Sequence, residues 1–264
     1  MNGFPVEWLH LREPFDHQAR SRALVETLVA ALPSRRPLRI LELGAGLGSG
    51  MRYLAPQLPE AQQWTLVDHD PALLAAVGEP PGPEVRVETL ELDLADPAAL
   101  TQEADLVSTQ ALLDLVSEAW LGALTEWLVD RRLPLLAALT VDGRVHWTPE
   151  DPRDTEVQAA FRAHQRTDRG FGPSPGSRAA PVLSGMLARA GHRVSLARAD
   201  WDVGPGFTQM LSEMVEGTAR AAAEAAAGIT QPETVRNWRA NRLAAIEAGS
   251  LSLRVGHLDL LALP

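Results

Sequence analysis

Short apolar runs alternate with stretches whose apolar residues recur every three to four positions through the first half of this chain, the succession of strands and helices expected of an α/β sheet. Leu38 to Leu43 reads as a buried strand, and Met51, Leu54, Ala55 and Leu58 follow at helical spacing. Trp64 to Val67 predicts a second strand ending at Asp68, after which Asp70-Pro71 supplies an N-cap and a proline at the first helical position. Val85 to Leu92 predicts a third strand and Asp105 to Ser108 belongs to a fourth. Ser117 then caps a helix whose Trp120, Leu121, Leu124, Trp127 and Leu128 form one stripe.

Leu133 to Val141 predicts a fifth strand, with Asp142-Gly143 suited to a tight turn into Arg144 to Trp147. The alternation then stops. Residues 148–180 are polar and rich in Pro, Gly, Arg and Asp, a connection long enough to be functional or disordered. Gly191 to Trp201 and Leu251 to Leu263 read as two last strands. Between them Phe207, Met210, Leu211, Met214 and Val215 mark one amphipathic helix, an Ala-rich helical stretch follows to Gly228, and Pro232 to Ala248 forms another helix, stopped by Gly249. The expected organisation is a helical N-terminal segment over 1–37 and a main domain over 38–264. Within that domain, 148–180 is an active-site loop region and 203–250 a helical cap inserted between the last two strands.

Composition narrows the chemistry. The chain has no cysteine, so thiolate ligands, disulfides and a Cys nucleophile are excluded. All 24 basic residues are arginine, which excludes a Schiff-base or P-loop lysine; a G+C-rich coding bias and Arg ion pairing in a heat-adapted protein both explain the usage. The net charge of -10, with basic residues scattered, argues against nucleic acid as a partner. No apolar run approaches a bilayer span and the N-terminus is not a secretory signal, so a cytoplasmic protein without membrane contact, monomer or homodimer, is expected.

The chemistry concentrates in LRILELGAGLGSGMRYL, residues 38–54, where four glycines fall in seven residues between strand and helix. A G-x-G-x-x-G dinucleotide loop fails, because its third glycine falls on Ser49 or Met51. What stands there is acid-x-G-x-G-x-G: Glu42, then Gly44, Gly46 and Gly48. This resembles motif I of the class I S-adenosylmethionine-dependent methyltransferases, and the later segments fit in order over about residues 38–145. The resemblance implies a Rossmann-like, doubly wound, seven-stranded, mostly parallel sheet with an antiparallel last strand. It implies that Glu42, Gly44, Ala45, Gly46 and Gly48 approach S-adenosylmethionine, that Asp68 meets the ribose, that Asp93 and Leu94 lie near the adenine, and that Ser108 ends the strand facing the methyl group; His69, beside Asp68, either stacks on the adenine or lies at the surface. Independently, a glycine loop ahead of a helix N-terminus lets main-chain N–H groups approach a carboxylate, and a strand-end acid accepts hydrogen bonds from two ribose hydroxyls.

Methyl transfer from a sulfonium needs alignment and exclusion of water more than acid or base power. A base is required only when the acceptor is a hydroxyl or an ammonium. His164, with Asp168 as orienter, is the candidate by residue type; a solvated polar loop accounts for the pair equally well. Gln110, Asp114, His146, Trp147 and Arg166, with Arg169, are candidates for a small-molecule acceptor, because they follow the fourth and fifth strands or lie in the polar connection. His192 and His257 read as structural histidines. Phe15, Asp16 and Arg20 belong either to a lid over the cofactor or to a helix packed on the sheet edge. The expected reaction is O- or N-methylation rather than C-methylation. The alternatives are a nicotinamide oxidoreductase, disfavoured by the lack of Tyr-x-x-x-Lys, and a non-catalytic S-adenosylmethionine-binding regulator. No H-x-x-x-H pair suggests zinc, and GLGSG at 46–50 misses G-x-S-x-G by one position.

Overall fold

The computed structural model describes residues 4–32, 37–59, 61–95, 97–168, 170–225 and 230–264; Arg169 and Gly228 lie outside them. Eight strands form one sheet in the order β3-β2-β1-β4-β5-β8-β6, with β7 also pairing β8. Strands β1 (Leu38–Leu43), β2 (Gln62–Asp68), β3 (Val85–Glu91), β4 (Leu106–Gln110) and β5 (Leu135–Thr148) run parallel, and β8 (Ser252–Leu263) runs antiparallel to β5. β1 is buried on both faces, as a central parallel strand covered by helices must be. On one face α2 (Arg22–Ala31) packs Leu24, Val25 and Leu28 against Leu38, Ile40 and Leu261. On the other, α5 (Glu118–Arg131) and α7 (Ala179–Arg189) set Trp120, Leu124, Leu128, Leu183 and Leu187 against Leu41, Val107 and Leu135. The helix starts read from sequence at Ser117 and Asp70 are both in place, each side chain accepting main-chain N–H bonds.

The sheet differs from the expected seven strands because Gly191 to Trp201 is two strands, β6 (Arg193–Arg198) and β7 (Trp201–Val203). β8 is long enough to pair both, Leu258 to Leu263 with β6 and Leu253 to Val255 with β7. At the break, Asp200 leaves the ladder and accepts two hydrogen bonds from Arg144, at 2.7 and 2.9 Å. A second difference concerns Asp142-Gly143. The chain does not turn there: β5 continues past it to Thr148 because β8 pairs along its length, and the two residues form an irregularity in the ladder with Gly143 at φ +85°.

A third difference lies in the polar connection, which contains α6 (Asp154–Gln165). Its buried side is narrow, with only Val157 and Ala160 buried, so no long apolar stripe marks it in the sequence. α6 packs against α8 (Thr208–Glu224), and α8 against α9 (Pro232–Glu247). Together with α1 (Val6–Ala19) these helices close a core of their own around Trp238, Trp147, Leu211, Val215 and Phe15. Trp238 stands edge-on to Trp147 at 5.5 Å and donates its indole N–H to Asp154 at 2.7 Å. Asp154 also pairs with the buried Arg242. No helix among the described residues is long and apolar enough to cross a membrane.

Candidate active site

The glycine loop leads from β1 into α3 (Ser49–Leu54), and Gly44, Gly46 and Gly48 all have positive φ, between +52° and +76°, which a side chain would strain. The loop is tied to the next strand: the Gly46 N–H donates to Asp68 Oδ2 at 2.8 Å, and Asp68 Oδ1 accepts from the Asp70 N–H at 3.1 Å. His69 Nδ1 lies 3.2 Å from the same carboxylate. Above the loop is a cavity of about 270 Å³ lined by Gly44, Ala45, Gly46, Asp68, His69, Asp93 and Leu94. Gln110, Leu112, Leu73 and Phe171 complete its walls. Helix α1 roofs it with Leu9, Arg12, Glu13 and Asp16, and is held down by Arg52, which donates to Glu13 at 2.6 and 2.7 Å, and by His17, 3.1 Å from Ser49 Oγ.

Beside it lies a second cavity of about 480 Å³, and Phe4, Arg12, Ala111 and Leu115 line both. Its interior is aromatic and aliphatic, with Trp8, Trp147, Trp201, Phe161, Val145 and Met214 on its walls. Polar groups reach it from the loop after β4 (Asp114), from β8 (His257), from α6 (Arg162, His164) and from α8 (Glu213, Arg220). Arg12 stands at the junction, 5.1 Å from the Trp201 ring, and donates to Asp16 at 2.9 and 3.2 Å. Burial raises the Asp16 carboxyl above its usual range against the opposing pull of Arg12, and Trp201 donates to it at 3.1 Å.

Among the sequence candidates, Asp114, Trp147 and His164 therefore face the second cavity, while Gln110 faces the first. Glu42, Gly48 and Ser108 line neither cavity. Glu42 is fully buried beneath Gly50, and Gly48 faces inward, where an added Cβ would meet Leu66 and Val77 at 3.3 Å. Ser108 is buried in β4, in register between Glu42 and Leu136. His146 faces a separate hollow with Thr148, Asp202 and Arg254. Arg166 is exposed and lines neither cavity. His164 and Asp168 do not pair: His164 Nε2 is 3.1 Å from Glu224, while Asp168 Oδ1 accepts from the Gly170 and Gly172 N–H groups at 2.7 and 2.9 Å and shapes the loop that carries Phe171. His192 behaves as a structural histidine, with Nε2 3.3 Å from the Leu133 carbonyl. His257 is buried against Trp201, and its Nδ1 has no partner in hydrogen-bond geometry among the described residues.

Arg12 was not legible as a site residue, although its spacing to Asp16 is that of an i, i+4 ion pair. Ala111 and Leu139 gave no sequence signal either. Both have positive φ, +51° and +57°, and both line the second cavity where β4 and β5 leave the parallel sheet. Such strain in residues with side chains persists only where the surroundings enforce it, and it collects at functional sites.

The fold is that of the class I S-adenosylmethionine-dependent methyltransferases. Over 98% of this chain and 94% of the other, it superposes on the cyclopropane synthase MmaA2 of Mycobacterium tuberculosis with a TM-score of 0.51 at 13% identity. A cyclopropane-fatty-acyl-phospholipid synthase-like protein of Lactobacillus casei gives a TM-score of 0.52 at 15% identity over the same shares of the two chains. No family model matches the sequence, and no curated protein matches it.

Proposed function

We propose that this chain transfers a methyl group from S-adenosylmethionine to a small-molecule acceptor at nitrogen or oxygen. The observation that carries the reading is the pair of adjoining cavities: one is built on the glycine loop and Asp68, the other is apolar, and they meet at Phe4, Arg12, Ala111 and Leu115.

The residues present fit the cofactor. Gly44, Ala45 and Gly46 bring the loop's main chain to the cavity wall where a methionyl carboxylate would sit, with the Ala45 N–H engaged by the Val67 carbonyl and the Gly46 N–H by Asp68. Asp68 would hold the ribose hydroxyls, and Leu73, Leu94 and His69 offer apolar and aromatic surface for an adenine beside Asp93. When bound, S-adenosylmethionine supplies an electrophilic methyl group on a sulfonium. The chain's part is to align and to dry. α1 covers the junction, and Asp16, paired with Arg12 and accepting from Trp201, fixes that cover to β7. Gln110, from β4, faces the first cavity and orients the amino-acid end, while Glu42, buried against Gly50, supports the loop from beneath. His164, paired with Glu224, and Trp147 contribute to the acceptor side.

The test is a methyl-transfer assay with tritium-labelled S-adenosylmethionine against fractionated metabolite pools. A labelled small molecule supports the reading. Saturable cofactor binding without any labelled product across the fractions overturns the catalytic part.

A further inference from the structure

Asp114 lies in the loop that follows β4, next to Leu115, which lines both cavities, and it lines the larger one. Its Oδ1 is enclosed and, among the described residues, has no partner in hydrogen-bond geometry; the main-chain N–H groups of Asp114 and Val141 only partly offset its burial. An enclosed carboxylate oxygen without a donor is costly, so a group retained in that state points to a donor that arrives with a ligand. Several of the charges around it are already paired. Arg12, from α1, is engaged by Asp16; Arg144, from β5, by Asp142 and Asp200; His164, from α6, by Glu224. His257, from β8, is held neutral: burial first, and Arg12 second, lower its pKa to about 4. Arg162, Glu213 and Arg220 line the cavity from α6 and α8. Ala111 and Leu139, both at positive φ, line the same cavity.

Resting on the functional reading above, we infer that Asp114 receives the N–H or O–H group of the acceptor and takes its proton during transfer. The acceptor is thereby an amine or a hydroxyl compound with an apolar body, seated among Trp8, Trp147, Trp201 and Phe161. The step balances. The acceptor lone pair bonds to the methyl carbon, the sulfur–methyl bond breaks with its electron pair left on sulfur, and the N–H or O–H proton passes to Asp114. Burial already pushes this carboxyl up to about 6, against the charge of Arg12 and the N–H groups of Asp114 and Val141, so it is a stronger proton acceptor than an exposed aspartate while still ionised near neutrality.

The experiment compares head groups on one apolar body: benzylamine, benzyl alcohol, benzoate and toluene, titrated calorimetrically at pH 7.5 into the protein with S-adenosylhomocysteine. Binding of S-adenosylhomocysteine is read first. Its absence counts against the cofactor reading, and the head-group comparison is then made on the free protein. The expected result is that the amine and the alcohol bind about tenfold or more tighter than benzoate and toluene, the preference a hydrogen bond to a charged group confers. Asp114→Leu should abolish both preferences, whereas Asp114→Asn, which keeps an acceptor oxygen, should retain the alcohol and lose the amine. Equal affinity across the four, tighter benzoate, or a preference that survives Asp114→Leu overturns the inference.

Discussion

Replacing Glu42 by Gln isolates the cost of a carboxylate buried under the glycine loop. Glu42 is fully enclosed, and neither oxygen has a partner in hydrogen-bond geometry. Desolvation raises its pKa from 4.5 to about 7, and the charges of Arg20 and Arg52, with the Gly50 and Met51 N–H groups, only partly oppose it. The folded state therefore holds this proton more tightly than the unfolded state. The corresponding stability is complete below about pH 4.5 and is lost as pH rises through about 7. That interval corresponds to roughly 3 kcal/mol at most, of which roughly 2 to 3 kcal/mol falls between pH 5 and pH 8. Glutamine keeps the shape and does not titrate. Urea unfolding of wild type and Glu42→Gln at both pH values should show wild type losing that amount relative to the variant on going to pH 8, with all other groups cancelling in the comparison. A wild-type minus variant difference that is the same at pH 5 and pH 8 would refute the reasoning.

Other perturbations follow from the same contacts. A Cβ on Gly50 would run into the Glu42 carboxylate, so Gly50→Ala should cost about 1–3 kcal/mol in wild type and little in a Glu42→Ala background; an equal cost in both denies the contact. Asp154→Ala leaves the guanidinium of Arg242, whose side chain is 2% exposed, without its carboxylate and should cost about 3–5 kcal/mol by urea unfolding; a loss under about 1 kcal/mol contradicts the buried pair. Gly46→Val forces a branched side chain into φ +52°, and should weaken S-adenosylhomocysteine binding by on the order of tenfold or more while far-UV circular dichroism stays unchanged; an unaltered dissociation constant removes the loop from the site.

The first cavity was largely legible in the sequence because its determinants are local. A buried strand, three spaced glycines and an acid closing the next strand occupy residues 38–68, and short-range pattern specifies them. The second cavity was not. Its walls come from residues as far apart as Phe4 and His257, and only the folded chain brings them together. α6 was hidden because its buried stripe is a single Val and Ala, too short to show as a helical period within a Pro-, Gly- and Asp-rich connection. Asp142-Gly143 looked like a turn because the dipeptide favours one, yet β8 pairs on both sides of it, and tertiary pairing decided the outcome. The histidines divided in the same way: His257 sits in a strand as expected, but which atoms surround its ring is a long-range fact.

The central claim is that the loop from Gly44 to Gly48, closed against Asp68 by the Gly46 amide, holds S-adenosylmethionine. Calorimetric titration of the protein with S-adenosylhomocysteine and, separately, with NADH tests it most directly. The account predicts saturable binding of one S-adenosylhomocysteine per chain and no heat with NADH; binding of NADH with none of S-adenosylhomocysteine would contradict it.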